Sequence, residues 1–226
     1  MTTLKMIKAD WLAIKSHHWR LLIMTAIIAI FALSGMSLVV LPISVYMALA
    51  FSVNSFEVEE KGKLDSLFLT LPVTRRDIVR GRYAFLLFFV ILAMAVSGGV
   101  IVIAMPQLAF GEIVMSMSPA TLWLLCSFSF ALCGFINLCM YPTLFALGYA
   151  KGKMWGFYLP VILIALLFSG LGLVMSNEEL VMKVIAWIAY WSDHSLKVGG
   201  AFVLIGLGLL YISYSLSVML YKKRNL

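Results

Sequence analysis

Charge is what this sequence has least of. Only 12% of its 226 residues are charged, whereas 63% are hydrophobic. Soluble domains carry about 25% charged and about 45–50% apolar residues, so a chain this poor in charge cannot cover its apolar residues with a water-facing surface. The composition excludes a soluble monomeric enzyme, an intrinsically disordered chain and a secreted disulfide-rich domain. It indicates an integral membrane protein.

Cysteine and histidine are also scarce. The three cysteines, Cys126, Cys133 and Cys139, lie in one apolar run with no His, Asp or Glu nearby, and the three histidines form no ligand set. Metal sites need several such donors close together. We therefore predict no metal site, and we interpret the cysteines as small apolar residues of a buried helix.

Motifs for catalysis and nucleotide binding are missing as well. A P-loop requires G-x-x-x-x-G-K-[ST]. The nearest string starts at Gly148, has one residue too few before Gly152, and has Met154 where the magnesium-binding hydroxyl belongs. The long apolar runs contain no ionisable residue, which leaves an intramembrane enzyme without candidate catalytic groups. We therefore expect no catalytic residue and no cofactor in this chain.

Long apolar runs are what the sequence has in abundance. A helical crossing needs about 20 apolar residues, and the uncharged run at 21–56 is long enough for two. The predicted fold is an all-α integral membrane protein, a single transmembrane domain with six transmembrane helices. The predicted segments are an interfacial helix at 1–20, two crossings within 21–53, a cytoplasmic segment at 54–82, crossings at 83–105, 121–147, 157–175 and 198–220, a less regular outer loop at 106–120, and an outer helix at 176–197.

Basic residues fall almost entirely on one side of this predicted topology. With the N-terminus inside, the cytoplasmic segments are 1–20, 54–82, a loop at 148–156, and 221–226. They hold 15 of the 17 Lys and Arg residues, and only Lys183 and Lys197 lie outside. Cytoplasmic loops carry such an excess, so both termini are predicted to be cytoplasmic. The net charge of +7 is therefore not interpreted as a nucleic-acid site. The alternative of five crossings, with 21–56 as one, puts basic loops on both sides of the membrane.

Two segments are predicted to lie along the membrane surface. The N-terminal 20 residues carry an apolar stripe at helical spacing with lysines beside it, which indicates an interfacial helix anchored by Trp11 and Trp19. On the outer side, Ser176 and Glu179 form a capping-box pattern ahead of an amphipathic stretch. This pattern predicts a short outer helix between the fifth and sixth crossings.

The polar segment at 54–82 has the most features. An acidic start leads into apolar residues at helical spacing, and Pro72 ends that helix. Thr74 and Asp77 then form a capping box for a helix that enters the third crossing. In the fourth crossing, Asn137 is the main polar side chain. We interpret it as forming a hydrogen bond between helices, with lining of a transport path as the alternative. Glycines within the crossings are predicted to permit close helix packing rather than to mark a pore: Gly98, Gly99, Gly170, Gly172, Gly206 and Gly208.

The 54–82 segment resembles the permease subunits of type-2 ABC transporters, the ABC-2 class. The resemblance rests on Phe56-Glu57, Glu60-Lys61, Leu67, Leu71-Pro72-Val73-Thr74-Arg75, Ile78-Val79 and Arg82-Tyr83. In that family the pattern follows the second of six crossings, and the whole predicted plan of the chain matches. Gly62-Lys63 is a departure, because glycine weakens a helix.

The resemblance implies two permease chains, identical or different, acting with two copies of an ABC ATPase that binds ATP and Mg²⁺. A coupling helix around 57–71 would dock on that ATPase. The resemblance assigns charge pairing to Glu57, Glu59, Glu60 and Lys61, an apolar anchor to Leu64, Leu67 and Phe68, and places in the same coupling segment to Leu71, Pro72 and Arg75. Arg76, and alternatively Arg75, would bind lipid headgroups.

The resemblance also implies outward transport across a bacterial plasma membrane. Crossings without fixed charge suit a hydrophobic or amphipathic substrate, and small members that resemble this chain export antimicrobial or cytolytic peptides. A second hypothesis is a membrane immunity or sensor protein that uses the 54–82 segment to bind a different partner.

Overall fold

A computed structural model describes residues 37–62, 74–104, 107–110, 113–116, 118–160 and 193–223, with single positions between 19 and 30 and between 162 and 191. Its elements are α1 (Ser37–Ser52), α2 (Asn54–Lys61), α3 (Arg75–Ala104), β1 (Gln107–Phe110), β2 (Ile113–Ser116), α4 (Pro119–Lys153), a π-helical segment (Met154–Tyr158) and α5 (Ser195–Lys223). The predicted helix at 1–20, the first crossing, most of the fifth and most of the outer helix lie outside the described residues.

Four described helical stretches are long and apolar enough to cross a membrane. They are Val40–Lys61, Arg75–Ile103, Pro119–Gly156 and Ser195–Lys223. These stretches overlap the predicted second and third crossings and contain the predicted fourth and sixth. The helical, multi-pass character of the chain is therefore confirmed, whereas the total of six crossings stays a prediction.

The helix of the third crossing begins at its predicted capping box. α3 starts at Arg75, ahead of the apolar run at 83–105, and is continuous to Ala104. The predicted capping box is present at its start: Thr74 Oγ1 donates to the Asp77 carboxylate at 2.5 Å, and the Asp77 N–H donates to Thr74 Oγ1 at 3.3 Å. This cap satisfies free backbone groups of the first turn, so the helix starts ahead of the apolar run.

The predicted cytoplasmic loop at 148–156 is a helical reversal. Gly148 has φ 80° and ψ 178° and interrupts the helical geometry of α4. Backbone in this region is open essentially to glycine alone. A Cβ at Gly152 would lie 2.9 Å from Leu144 Cα, and one at Gly156 would lie 3.0 Å from Met140 Cα. Residues 149–160 are called the return segment, because they run back along the part of α4 before Gly148. Glycine at every fourth position, 148, 152 and 156, lets the two backbones approach closely.

The outer loop at 106–120 also differs from its prediction. It contains a two-stranded antiparallel hairpin in which Gln107 pairs with Ser116 and Phe110 with Ile113. The strands satisfy each other's backbone groups, which an irregular loop does not. Ser118 then caps α4 by accepting a hydrogen bond from the N–H of Thr121 at 3.2 Å.

The core lies where α4 crosses α5 and where aromatic side chains of α1, α3 and α4 meet. A Cβ on Gly134 would lie 2.8 Å from the carbonyl oxygen of Gly206. The prediction that Gly206 permits close helix packing is therefore confirmed. Gly98, Gly99 and Gly208 were predicted to do the same, but a Cβ there would meet no atom of the described residues within 4 Å.

Candidate functional site

The predicted coupling segment begins with α2, which nearly continues α1. Only Val53 separates the two helices, and it keeps helical angles of φ −70° and ψ −21°. α2 carries the acidic residues of the segment, and most of its side chains are buried: Asn54, Ser55, Phe56, Glu57 and Glu59. The start of the coupling segment is therefore built into the helical bundle instead of lying free on its surface.

Phe56 attaches α2 to α4. Its ring centroid lies 5.5 Å from that of Tyr141 and 4.9 Å from that of Phe145, both in edge-to-face geometry. Such aromatic pairs contribute about 0.5–1.5 kcal/mol beyond the area that they bury. α2 and α4 are therefore held together by packing as well as by polar contacts.

Glu59 attaches α2 to α3. Its carboxylate accepts a hydrogen bond from Nη2 of Arg82 in an ion pair. The Glu59 and Arg82 side chains are only 11% and 2% exposed. The guanidinium carbon of Arg82 also lies 4.6 Å from the centre of the Phe56 ring, within the range of a cation–π interaction. One buried cation therefore contacts both a carboxylate and an aromatic residue of α2.

Glu60 attaches α2 to the return segment. Its carboxylate accepts hydrogen bonds from the backbone N–H of Tyr149 and, at 3.2 and 3.3 Å, from that of Ala150. Glu57 adds a second contact, because the Tyr149 hydroxyl donates to its carboxylate at 3.2 Å. Glu57 also accepts from Lys61 Nζ at 2.7 Å. The three acidic residues of α2 are all engaged within this chain.

Arg75 holds the end of α5. Its Nη1 atom donates to the carbonyl oxygens of Tyr221 and Lys222 at 3.0 Å each. The last carbonyls of a helix lack partners within the helix, so Arg75 caps α5 from the start of α3. Arg76, its neighbour, is exposed, as a headgroup-binding residue must be.

The structure changes the predicted roles of the acidic residues. Glu57 and Glu59 were assigned to charge pairing with an ATPase, but their side chains are buried and paired within this chain. The reason is the face that they occupy: α2 turns toward α3 and α4 because Phe56 is buried there. Two of the four predicted charges, Glu60 and Lys61, stay exposed, and the Lys61 side chain is 73% exposed.

Several predicted site residues lie outside the described residues. They are Leu64, Leu67, Phe68, Leu71, Pro72 and Trp11. Their roles stay predictions. Trp19 is described and is 68% exposed, and its anchoring role also stays a prediction.

Asn137 does not form the predicted hydrogen bond with its side chain. Both Oδ1 and Nδ2 are buried, and neither has a hydrogen-bond partner among the described residues. The contact between helices uses the backbone instead, because Ser213 Oγ donates to the Asn137 carbonyl oxygen at 2.9 Å. The close approach of α4 and α5 one turn earlier, at Gly134, brings that hydroxyl within reach of the α4 backbone.

Two residues of the site were missed in the sequence. Arg82 was counted as part of a basic loop, although Val79 and Leu86 on the same helical face are apolar and fully buried. That periodicity would have placed Arg82 inward. Tyr149 carried no comparable signal, because its contacts depend on the reversal at Gly148.

The sequence matches the family described as ABC-2 family transporter protein over residues 5–222. No curated protein and no solved structure matches the chain. The family match covers nearly the whole sequence, including the 54–82 segment and all described helices. Such a chain is a multi-pass plasma membrane protein that works with an ABC ATPase. This chain therefore belongs to the ABC-2 transporter family.

Proposed function

We propose that this chain is the permease subunit of an ATP-driven exporter and that its 54–82 segment receives the movement of a separate ATPase. The observation that carries the proposal is the set of contacts made by α2. Phe56 joins it to α4, Glu59 joins it to α3, and Glu60 joins it to the return segment. A displacement of α2 therefore acts directly on three other parts of the bundle.

The chemistry of α2 favours transmission of force over recognition of a ligand. Its buried ion pair and its aromatic contacts are short and directional. Breaking the ion pair would deprive a buried charge of this partner, which is energetically costly. α2 therefore moves with its neighbours more readily than it separates from them. The apolar residues at 64–71 then supply the surface that the ATPase contacts, and ATP and Mg²⁺ are bound by the ATPase.

A hydrophobic or amphipathic substrate, such as a peptide, fits the described helices best. Their ionisable side chains concentrate at the cytoplasmic end, as the paired residues Glu59 and Arg82 illustrate. The described helix centres are lined by apolar residues and hydroxyls, including Ser44 and Ser97, which form a hydrogen bond with each other at 2.9 Å. Charged solutes would find no counter-charge among these residues. We also infer that export requires a pair of permease chains and two copies of the ATPase.

The test is purification of the tagged protein in a mild detergent, followed by mass spectrometry of the proteins that accompany it. We expect a P-loop ATPase at a one-to-one ratio. The double variant Leu67→Asp with Phe68→Asp should insert normally and lose the ATPase, because two carboxylates replace the apolar anchor. Lys151→Asp is the matched control: it changes the charge by the same amount at an exposed position of the return segment.

Two outcomes would count against the proposal. One is the repeated absence of an ATPase from the folded wild-type protein. The other is an undiminished ATPase ratio in the double variant. Specific retention of a different membrane or cytoplasmic partner through the 54–82 segment would instead support an immunity or sensor function.

A further inference from the structure

The return segment begins at a residue that cannot cap it. The first N–H groups of a helix have no partners within the helix and are usually satisfied by a side-chain oxygen of the residue before it. That residue is Gly148, whose φ of 80° and ψ of 178° favour glycine. Because glycine has no side chain, the acceptor must come from elsewhere in the molecule.

Glu60 supplies that acceptor from a different helix. Its carboxylate accepts from the N–H groups of Tyr149 and Ala150, the first two residues after the reversal. A negative charge at a helix N-terminus is also favoured by the helix dipole. Glu60 thus performs the work of a capping residue across 89 positions of sequence.

The surface beneath the return segment is mostly backbone. Gly152 and Gly156 place the segment against the backbone of residues 140–144 and against the small hydroxyl side chain of Thr143. No side chain projects from these two positions to interlock with α4. The segment is therefore held at its start by carboxylates of α2, while its glycine face leaves it free to shift along α4.

We propose that Glu60 is a positioning residue that makes the return segment move with α2. The proposal rests on the proposed function, in which an ATPase displaces the 54–82 segment. When α2 is displaced, the carboxylate carries the N-terminus of the return segment with it, and Tyr149 follows through its second contact with Glu57. The movement then reaches the π-helical Met154–Tyr158, whose Trp155 and Tyr158 are exposed on the apolar surface of the bundle.

The first experiment tests the cap in the permease alone. Amide hydrogen exchange of the detergent-solubilised full chain is measured by mass spectrometry for peptides that cover 149–153. Glu60→Ala should raise exchange there by about tenfold, the size expected from loss of a helix cap. Glu60→Gln, which keeps a neutral acceptor, should raise it less. Lys151→Ala, an exposed position of the same segment, should leave the exchange of Tyr149 and Ala150 unchanged.

The second experiment tests the transmission in the complex with the co-purified ATPase. Exchange at 149–160 is compared between the nucleotide-free complex and the complex trapped with ATP and vanadate. Wild type should show a trap-dependent change in this segment. Compared at equal amounts of bound ATPase and relative to the measured rate of ATP hydrolysis, the Glu60→Ala and Glu60→Gln complexes should lose at least half of that change. If Glu60 had only a structural role, its variants would be less stable, but the trap-dependent change at 149–160 would still accompany ATP hydrolysis.

The outcomes separate the two proposals. If no ATPase accompanies the wild type, the proposed function fails, whereas the cap is still judged by the first experiment. If the ATPase binds and the variants respond to trapping as the wild type does, the transmission role of Glu60 is refuted. Unchanged exchange at 149–153 in both Glu60 variants refutes the cap itself. If Glu60→Ala does not fold, Glu60→Gln decides both experiments.

Discussion

The ion pair between Glu59 and Arg82 gives the sharpest prediction about stability. Its two side chains are 11% and 2% exposed, so removing one partner deprives a buried charge of this ion pair. Breaking a buried pair in this way costs about 3–5 kcal/mol. For a chain of this length, about 2–4 °C of Tm corresponds to 1 kcal/mol. We therefore expect Glu59→Leu and Arg82→Met each to lower Tm by about 6–20 °C.

The double variant distinguishes a buried charge pair from ordinary packing. Replacing both charges by apolar residues of similar volume is often neutral or stabilising, so Glu59→Leu with Arg82→Met should recover most of the lost Tm. The assay is thermal unfolding of the purified chain in one detergent, followed by tryptophan fluorescence. All four proteins of the cycle are measured side by side, and the coupling energy comes from the difference.

The control is the neighbouring pair of the same helix. Lys61 is 73% exposed and pairs at 2.7 Å with Glu57, which is 9% exposed. Without Lys61, Glu57 still accepts from the Tyr149 hydroxyl, and the hydrated Lys61 ammonium brings the pair close to exposed pairs, which contribute about 0.2–1 kcal/mol. Lys61→Met should therefore change Tm by no more than about 4 °C. The reasoning is refuted if the losses of the Glu59 and Arg82 single variants add in the double variant, because additivity would mean that the two charges do not interact.

Three further predictions concern the helix contacts. Gly148→Ala should lower the free energy of unfolding by about 1–3 kcal/mol, because a side chain is strained at φ 80° and ψ 178°. Thermal unfolding would show this as a lower Tm. Gly134→Leu should separate α4 from α5 and abolish the folded monodisperse peak in size-exclusion chromatography, whereas Gly208→Leu, at an open position, should keep it. Tyr83→Phe removes hydroxyl contacts at 2.7 and 2.9 Å to two serines of α5, and it should lower Tm by a few degrees, since such bonds average about 0.6 kcal/mol in membranes.

Much of the fold could be predicted because membranes constrain sequences strongly. Apolar runs and the distribution of Lys and Arg located the crossings that the structure describes. The Thr74–Asp77 capping box located the start of α3 more accurately than hydropathy did, because hydropathy responds to apolar side chains and the first turns of α3 are polar. Local signals of this kind depend on neighbouring residues, which the sequence displays directly.

The candidate site was less predictable because its contacts are long-range. Glu59 and Glu60 follow Phe56 by three and four residues, so all three share one face of α2. A buried Phe56 therefore turns this face toward the bundle, where Glu59 is buried and Glu60, although exposed, reaches the return segment. That inference needs knowledge of which face is buried. The acids were assigned to the ATPase surface because the family resemblance places them in the coupling helix.

The sequence around Gly148 was compared with a nucleotide-binding P-loop, which it does not match, and was predicted to form a loop. The glycines at 148, 152 and 156 fit a different pattern, a close helix crossing with glycine at every fourth position. Sequence alone does not separate these interpretations, because the positive φ of Gly148 depends on the chain turning back. The capping role of Glu60 depends in turn on that reversal, so it had no independent signal.

The cap that Arg75 places on α5 has a consequence for the order of assembly during synthesis. Its acceptors, the carbonyls of Tyr221 and Lys222, follow Ala150 by about 70 residues, which take about 4–14 s to translate. The contacts of Glu60 with the return segment can therefore form while α5 is still being made. α5 then inserts against a partner surface that already exists, and Arg75 closes the bundle last. A nascent chain paused before α5 should already protect the start of the return segment, and only the finished bundle should protect the end of α5.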